Sequence, residues 1–189
     1  FRRAEIGFVG GRVALKDPRA AKLTTQMQSE PREFEPRSVI PGGMIHGANM
    51  VIRRACIEAV GGFDELLGAG TIFRAGEDAD MLRRISLAGF AGSYEPALSV
   101  SHDHGRRSGA EADAHMRGYW RGRGASCAKL CLHPSGRPLY LRYWYWQLRR
   151  SRARQILTEL FWGGAYVLTR AWCVIRGKAV EPRCARPAF

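Results

Sequence analysis

The chain has 189 residues, 46% of them hydrophobic, enough for one packed domain or one domain with an appendage. Its five cysteines (Cys56, Cys127, Cys131, Cys173, Cys184) form no pairwise framework, which argues against a disulfide scaffold and fits reduced thiols in a cytosolic setting. Cys127 and Cys131 lie one helical turn apart with no second ligand pair nearby, which argues against zinc. The net charge of +13 is uneven: between positions 114 and 158 there are ten Lys or Arg and no Asp or Glu. Such a segment suits phosphates, nucleic acid or an anionic membrane surface, unless it is only a solvated basic face.

Residues 6–15 read as a strand with Gly10 and Gly11 inside it. Residues 17–43 are loop-like, broken by Pro18, Pro31, Pro36 and Pro41, and a loop that long in a compact domain is usually functional or mobile. A short strand is expected over 46–52, and a short helix over 53–60. Gly61-Gly62-Phe63-Asp64 then forms a turn, with Asp64 read as a turn former. After a loop at 65–75 comes an acidic helix opening at Gly76-Glu77-Asp78-Ala79-Asp80 and stopping at Gly89. Strands follow at 90–94 and 97–101, separated by a break at Glu95-Pro96 and ended by His102-Asp103-His104-Gly105. From Gly109 the pattern is helical and basic, with breaks at 134–136 and at Gly163-Gly164. Strands alternating with helices argue for an α/β layer over 1–108, followed by a basic, aromatic-rich helical extension over 109–189.

The acidic helix carries the most information. With Asp78 at zero on a wheel of about 100° per residue, Met81, Leu82 and Ile85 fall within about 60° of it. Glu77 sits at the edge of that stripe. Asp80, Arg83 and Arg84 point away, and Asp80 reads as a surface ion pair with the two arginines. Asp78 thus takes the first position of the apolar face. A carboxylate there is either an N-terminal cap or a group aimed into a cleft.

The most apolar stretch is 156–175. Glu159 and Arg170 interrupt it and leave ten uncharged residues at 160–169, about half of what a bilayer span requires. With Trp and Tyr residues at 143–146, 162, 166 and 172, two readings stay open: an interfacial helix, or a helix packed on the main domain.

Taken in order, Gly47-Ala48-Asn49-Met50-Val51-Ile52-Arg53-Arg54, Gly61-Gly62-Phe63-Asp64, Gly76-Glu77-Asp78, Ala88-Gly89-Phe90, Tyr94-Glu95-Pro96 and His102 resemble the C-terminal half of the family 2 glycosyltransferases, over roughly residues 6–107. The resemblance implies an α/β fold of the GT-A type, a Rossmann-like nucleotide-diphospho-sugar transferase domain. It implies inverting transfer of a sugar from a nucleotide-diphosphate donor to an acceptor hydroxyl on a glycan or lipid-linked acceptor, in cell-envelope or exopolysaccharide synthesis. In that family the Asp of the Glu-Asp pair is the general base, and Asp78 matches it. Glu77 would shape the site beside it. Gly47, Ala48 and Asn49 would line the donor and acceptor cleft, with Asp64 and Arg106 as further binding candidates. A divalent metal, Mn²⁺ or Mg²⁺, would take His102 as a ligand, with His104 as the alternative.

One departure from the family is plain. Its nucleotide-binding half, with an Asp-x-Asp motif, has no match here, and Asp17-Pro18-Arg19 is not one. The chain opens on Phe1, so a portion of a longer enzyme is expected, inactive by itself. Its expected place is peripheral at the cytoplasmic face of a membrane, with contact through 140–176. The competing reading is a basic binding module without catalysis, with Tyr119-Trp120-Arg121-Gly122-Arg123 and the aromatics at 140–146 stacking on single-stranded nucleic acid. That reading leaves the acidic helix and the ordered glycine turns unexplained.

Overall fold

A computed structural model describes residues 5–105 and 109–177. Four strands form one mixed sheet: β1 (Ile6–Leu15), β2 (Arg32–Phe34), β3 (Met50–Ile52) and β4 (Ala91–His102), in the order β2-β4-β1-β3. β1 runs parallel to β4 and antiparallel to β3, and β2 is antiparallel to β4. Five helices accompany the sheet: α1 (Arg54–Val60), α2 (Glu77–Leu87), α3 (Gly109–Leu132), α4 (Arg137–Arg149) and α5 (Ala153–Ile175). The chain is therefore mixed α/β, with its strands in the first half and its long helices in the second.

Phe8 and Val13 of β1 are both fully buried, on opposite faces of the strand. Phe8, Phe34, Ile40, Ile45, Met81, Leu82, Ile85 and Tyr94 form the core between sheet and α2. Each such side chain contributes about 1.5–3 kcal/mol by leaving water. Gly10 is required by this packing: a Cβ there would come within 2.4 Å of Ile45, so the absent side chain lets the segment before β3 cross the sheet.

Several local expectations are corrected. Residues 46–49 are not strand; Gly47–Asn49 make a single 3-10 turn, and only Met50–Ile52 pair with β1. The Glu95-Pro96 break does not end a strand. β4 continues through it as a bulge, because Gly11 pairs with Glu95 while Arg12 pairs with Ser99. Proline has no N–H for the ladder, and the strand passes it by leaving residues 96–98 out of register. β2 was hidden in the proline-rich loop. Gly163-Gly164 does not break α5, since Gly163 lies inside a helix contact where a Cβ would meet the Trp144 ring at 2.9 Å and Gly124 O at 3.2 Å.

The largest correction concerns Asp80, Arg83 and Arg84, which are not a surface group. Asp80 is 0% exposed, Arg83 1% and Arg84 8%. Arg84 Nε donates to Asp80 Oδ2 at 2.8 Å, and its two terminal nitrogens donate to Val60 O and Gly62 O. Arg83 donates to Ile40 O, the Ser126 hydroxyl and the Tyr143 hydroxyl, with its guanidinium over the Tyr140 and Tyr143 rings. A wheel assumes one wet face. Here the side of α2 away from the sheet is covered by α3 and α4, and both faces are dry.

α3 lies against the start of α2 at backbone distance. A Cβ on Gly122 would meet Ala75 O at 2.1 Å, and one on Gly76 would meet Gly122 O at 2.7 Å. α3 and α5 approach just as closely through Gly124, where a Cβ would fall 2.2 Å from Glu159 O. Glu159 is fully buried. It accepts from Arg123, from Trp144 Nε1 at 3.1 Å and from Gln155 Nε2 at 2.9 Å, tying α3, α4 and α5 together.

Candidate functional site

Asp78 stands in the first turn of α2, after Gly76, whose φ of +100° lets the chain turn into the helix. Its side chain is half-buried rather than part of the core. Oδ1 accepts the Ala79 N–H at 2.6 Å, and Oδ2 accepts the Gly47 N–H at 3.2 Å from across the gap between α2 and the 3-10 turn. Asp78 is not the helix cap, which is Gly76 with no side-chain bond; its carboxylate joins the adjacent N–H to that of the exposed Gly47.

His46 precedes that turn and was missed as a site residue, having been taken as strand. It lies close enough to Asp78 and His102 to feel both charges. Burial holds its pKa below the usual histidine value. The Asp78 carboxylate and backbone hydrogen bonds at Thr25 and Gly43 oppose that shift, and His102 adds to it. Burial thus favours the neutral imidazole of His46, with the Asp78 carboxylate and the His102 imidazole in its electrostatic reach. The available signal was its position beside Gly47-Ala48-Asn49, the segment read as lining the cleft.

Glu77, next to Asp78, packs against Gly68, where a Cβ would come within 3.2 Å of Glu77 Cδ. Burial, followed by the charge of Asp78, raises the Glu77 carboxyl above the ordinary range; a hydrogen bond to its own backbone N–H opposes them. Two adjacent carboxylates in unequal surroundings can divide proton-transfer roles.

Asn49 acts on the frame. Its Nδ2 donates to Arg12 O and Leu98 O, both at 2.9 Å, and so closes the β4 bulge under the 3-10 turn. Asp64 is 1% exposed and faces inward. Oδ1 accepts the Leu66 N–H at 3.0 Å as a turn former would, while Oδ2 accepts from Lys129 Nζ at 2.9 Å and from the Tyr166 hydroxyl. Arg106 lies outside the described residues.

His102 ends β4 half-buried, its ring 6.1 Å from that of His104, whose Nε2 sits 2.9 Å from Ala21 O. Among the described residues no group of three His, Cys, Asp or Glu converges on a metal position. The residues present thus offer a divalent ion one candidate ligand, not a coordination sphere. Asp17 is no help here, since its carboxylate is closed on the backbone and guanidinium of Arg19.

The basic segment is partly structural. Arg123 and Lys129 serve buried carboxylates, Tyr140 is buried, Tyr143 bonds Gly42 N and Arg83, and Trp144 bonds Glu159. Three of the aromatics expected to stack on nucleic acid, Tyr140, Tyr143 and Trp144, are thereby tied to the protein's own interior, while Tyr145 and Trp146 stay exposed.

The comparisons with known proteins follow this geometry. The chain is 32% identical over 76 residues to the N-acetylglucosaminyl-diphospho-decaprenol L-rhamnosyltransferase of Mycobacterium tuberculosis, in both strain CDC 1551 / Oshkosh and strain ATCC 25618 / H37Rv. The match takes in 40% of this chain and 23% of the relative. No family model matches, and no solved structure matches. The chain is thus a partial relative of a glycosyltransferase, sharing a segment and not a whole enzyme.

Proposed function

We propose that this chain belongs to an inverting glycosyltransferase of the family 2 kind, and that Asp78 is its general base. The observation that carries the reading is the position of Asp78. It is an accessible carboxylate at a helix start, fixed by the Gly47 N–H at 3.2 Å and faced by the small residues Gly47 and Ala48. Small residues there let an acceptor sugar approach the backbone. The partial likeness to a rhamnosyltransferase supports the same chemistry.

In this reading the acceptor hydroxyl lies against Asp78, which takes its proton as the oxygen attacks the anomeric carbon and the nucleoside diphosphate leaves. The Gly47 and Ala79 N–H groups orient Asp78 at the helix start. Neutral His46 and the raised Glu77 flank it and fix the hydroxyl by hydrogen bonds. Asn49 and Asp64 position the frame, the first through the bulge and the second through Lys129. The donor is a nucleotide-diphosphate deoxyhexose or hexose, and the acceptor is a lipid-linked glycan of the cell envelope.

The deciding experiment is sugar transfer by the intact enzyme carrying Asp78→Asn. Loss of turnover by about 10²–10⁴-fold, with donor binding and melting temperature kept, is the expected result. Turnover at the wild-type rate would remove Asp78 from the chemistry.

A further inference from the structure

α5 buries one face and leaves the other bare. Glu159, Gly163 and Tyr166 face inward. With Leu157 at zero, Leu160, Phe161, Leu168, Trp172 and Ile175 all fall within about 60° of it on the opposite side. These six side chains are 48–78% exposed. The stripe runs about 27 Å at 1.5 Å per residue. No helix among the described residues is long and apolar enough to cross a membrane.

Cationic groups stand at both ends of the stripe. Arg176 lies over the Trp172 ring at 4.2 Å. At the other end, between α3 and the α4–α5 turn, is a cavity of about 510 Å³ walled by Arg117, Arg150, Arg152 and Arg154, with Trp120 and Asp113 beside them. None of these four guanidiniums closes an ion pair among the described residues, whereas Arg84, Arg123 and Lys129 all do. Between positions 114 and 177 the sole acidic residue is Glu159, which is buried. A second copy meeting this face would therefore set arginine against arginine. An anionic lipid surface complements both the apolar stripe and its rim.

We propose that α5 lies in the plane of an anionic bilayer, with the 157–175 stripe among the acyl chains and the four-arginine cleft holding a lipid phosphate. This docking stands without the glycosyl-transfer reading, because it is measured by binding alone.

The test is co-sedimentation of the full chain with vesicles of phosphatidylglycerol and phosphatidylcholine, against phosphatidylcholine alone. Binding to the anionic vesicles with little to the neutral ones is expected. Phe161→Ser with Leu168→Ser should weaken partitioning about a hundred-fold. Arg150→Ser, Arg152→Ser and Arg154→Ser together should weaken it by a similar factor. These positions are exposed, so the melting temperature of either variant should match the wild type. Unchanged partitioning in either variant overturns the proposal. So does a concentration-dependent dimer that Phe161→Ser with Leu168→Ser abolishes while the chain ignores vesicles. Binding of inorganic pyrophosphate by the wild type that the arginine substitutions remove, with vesicle binding untouched, would assign the cleft to a free anion and overturn it as well.

Discussion

Lys129 Nζ stands 2.9 Å from Asp80 Oδ2, and the same nitrogen lies 2.9 Å from Asp64 Oδ2. One ammonium on α3 thereby neutralises a carboxylate of α2 and a carboxylate of the turn after α1. All three groups are 8% exposed or less. Lys129→Met should destabilise the fold by about 3–5 kcal/mol, because the buried Asp64 carboxylate loses its cation and Asp80 keeps Arg84 alone. Urea unfolding measures this, and a loss under about 0.5 kcal/mol, the level of an ordinary surface substitution, would show that the contact holds nothing together.

Gly122 passes Ala75 at a distance that no side chain permits. Gly122→Ala should push α3 from the start of α2 and cost about 1–3 kcal/mol, as overpacking does. The displaced segment lies three residues before Asp78, so transfer by the intact enzyme should fall further than the melting temperature accounts for. Gly164→Ala is the control: its Cβ meets nothing within 4 Å, and neither quantity should drop.

Glu77 gives a pH signature on the neutral side. Its folded-state pKa is raised by burial above the ordinary 4.5. Below 4.5 both folded and unfolded forms carry the proton. As pH rises from there through the folded value, the unfolded chain releases its proton first and stability falls. Glu77→Gln should therefore melt higher than wild type at pH 7 and alike below the ordinary carboxylate value. Thermal melts across that range decide it, and parallel curves would place Glu77 in open solvent.

His46 gives the opposite sign. Its folded pKa is lowered from 6.5, chiefly by burial. Above 6.5 it is neutral in both states. As pH falls from 6.5 towards the folded value, the unfolded chain gains a proton that the folded one refuses, and stability drops. His46→Gln should lose this part of the acid sensitivity. The His46 ring resonances, followed by NMR, should titrate below 6.5, and a midpoint above that value would overturn the assignment.

The alternation of strand and helix, the glycine turns and the acidic helix start were all visible in the residue order, because each rests on local chemistry. Gly61, with φ near +80°, ends α1, and Gly76 opens α2 as its place in the sequence implies. What stayed hidden depends on distant partners. No local pattern says that Arg83, directly after Met81 and Leu82, will be covered by Tyr140 and Tyr143 from a helix some sixty residues away. The same holds for Asp64, whose partners Lys129 and Tyr166 come from two later helices, and for His46, whose neighbours arrive from α2 and from the end of β4. The catalytic reading of Asp78 rests on residue order together with position, and its proof is kinetic.

The Asp64–Lys129–Asp80 contact also bears on how the protein is made. As the chain leaves the ribosome, both acids emerge well before the cation that balances them, and the Tyr166 hydroxyl comes later still. Arg84, in the same helix, pairs with Asp80 early, but until position 129 is free Asp64 has no cation, so closing the turn after α1 would bury a bare carboxylate and its junction with the helix that bears Asp78 must stay partly open to water. Its docking waits for α3, and the sheet half of the fold closes from behind, by a part of the chain synthesised after it.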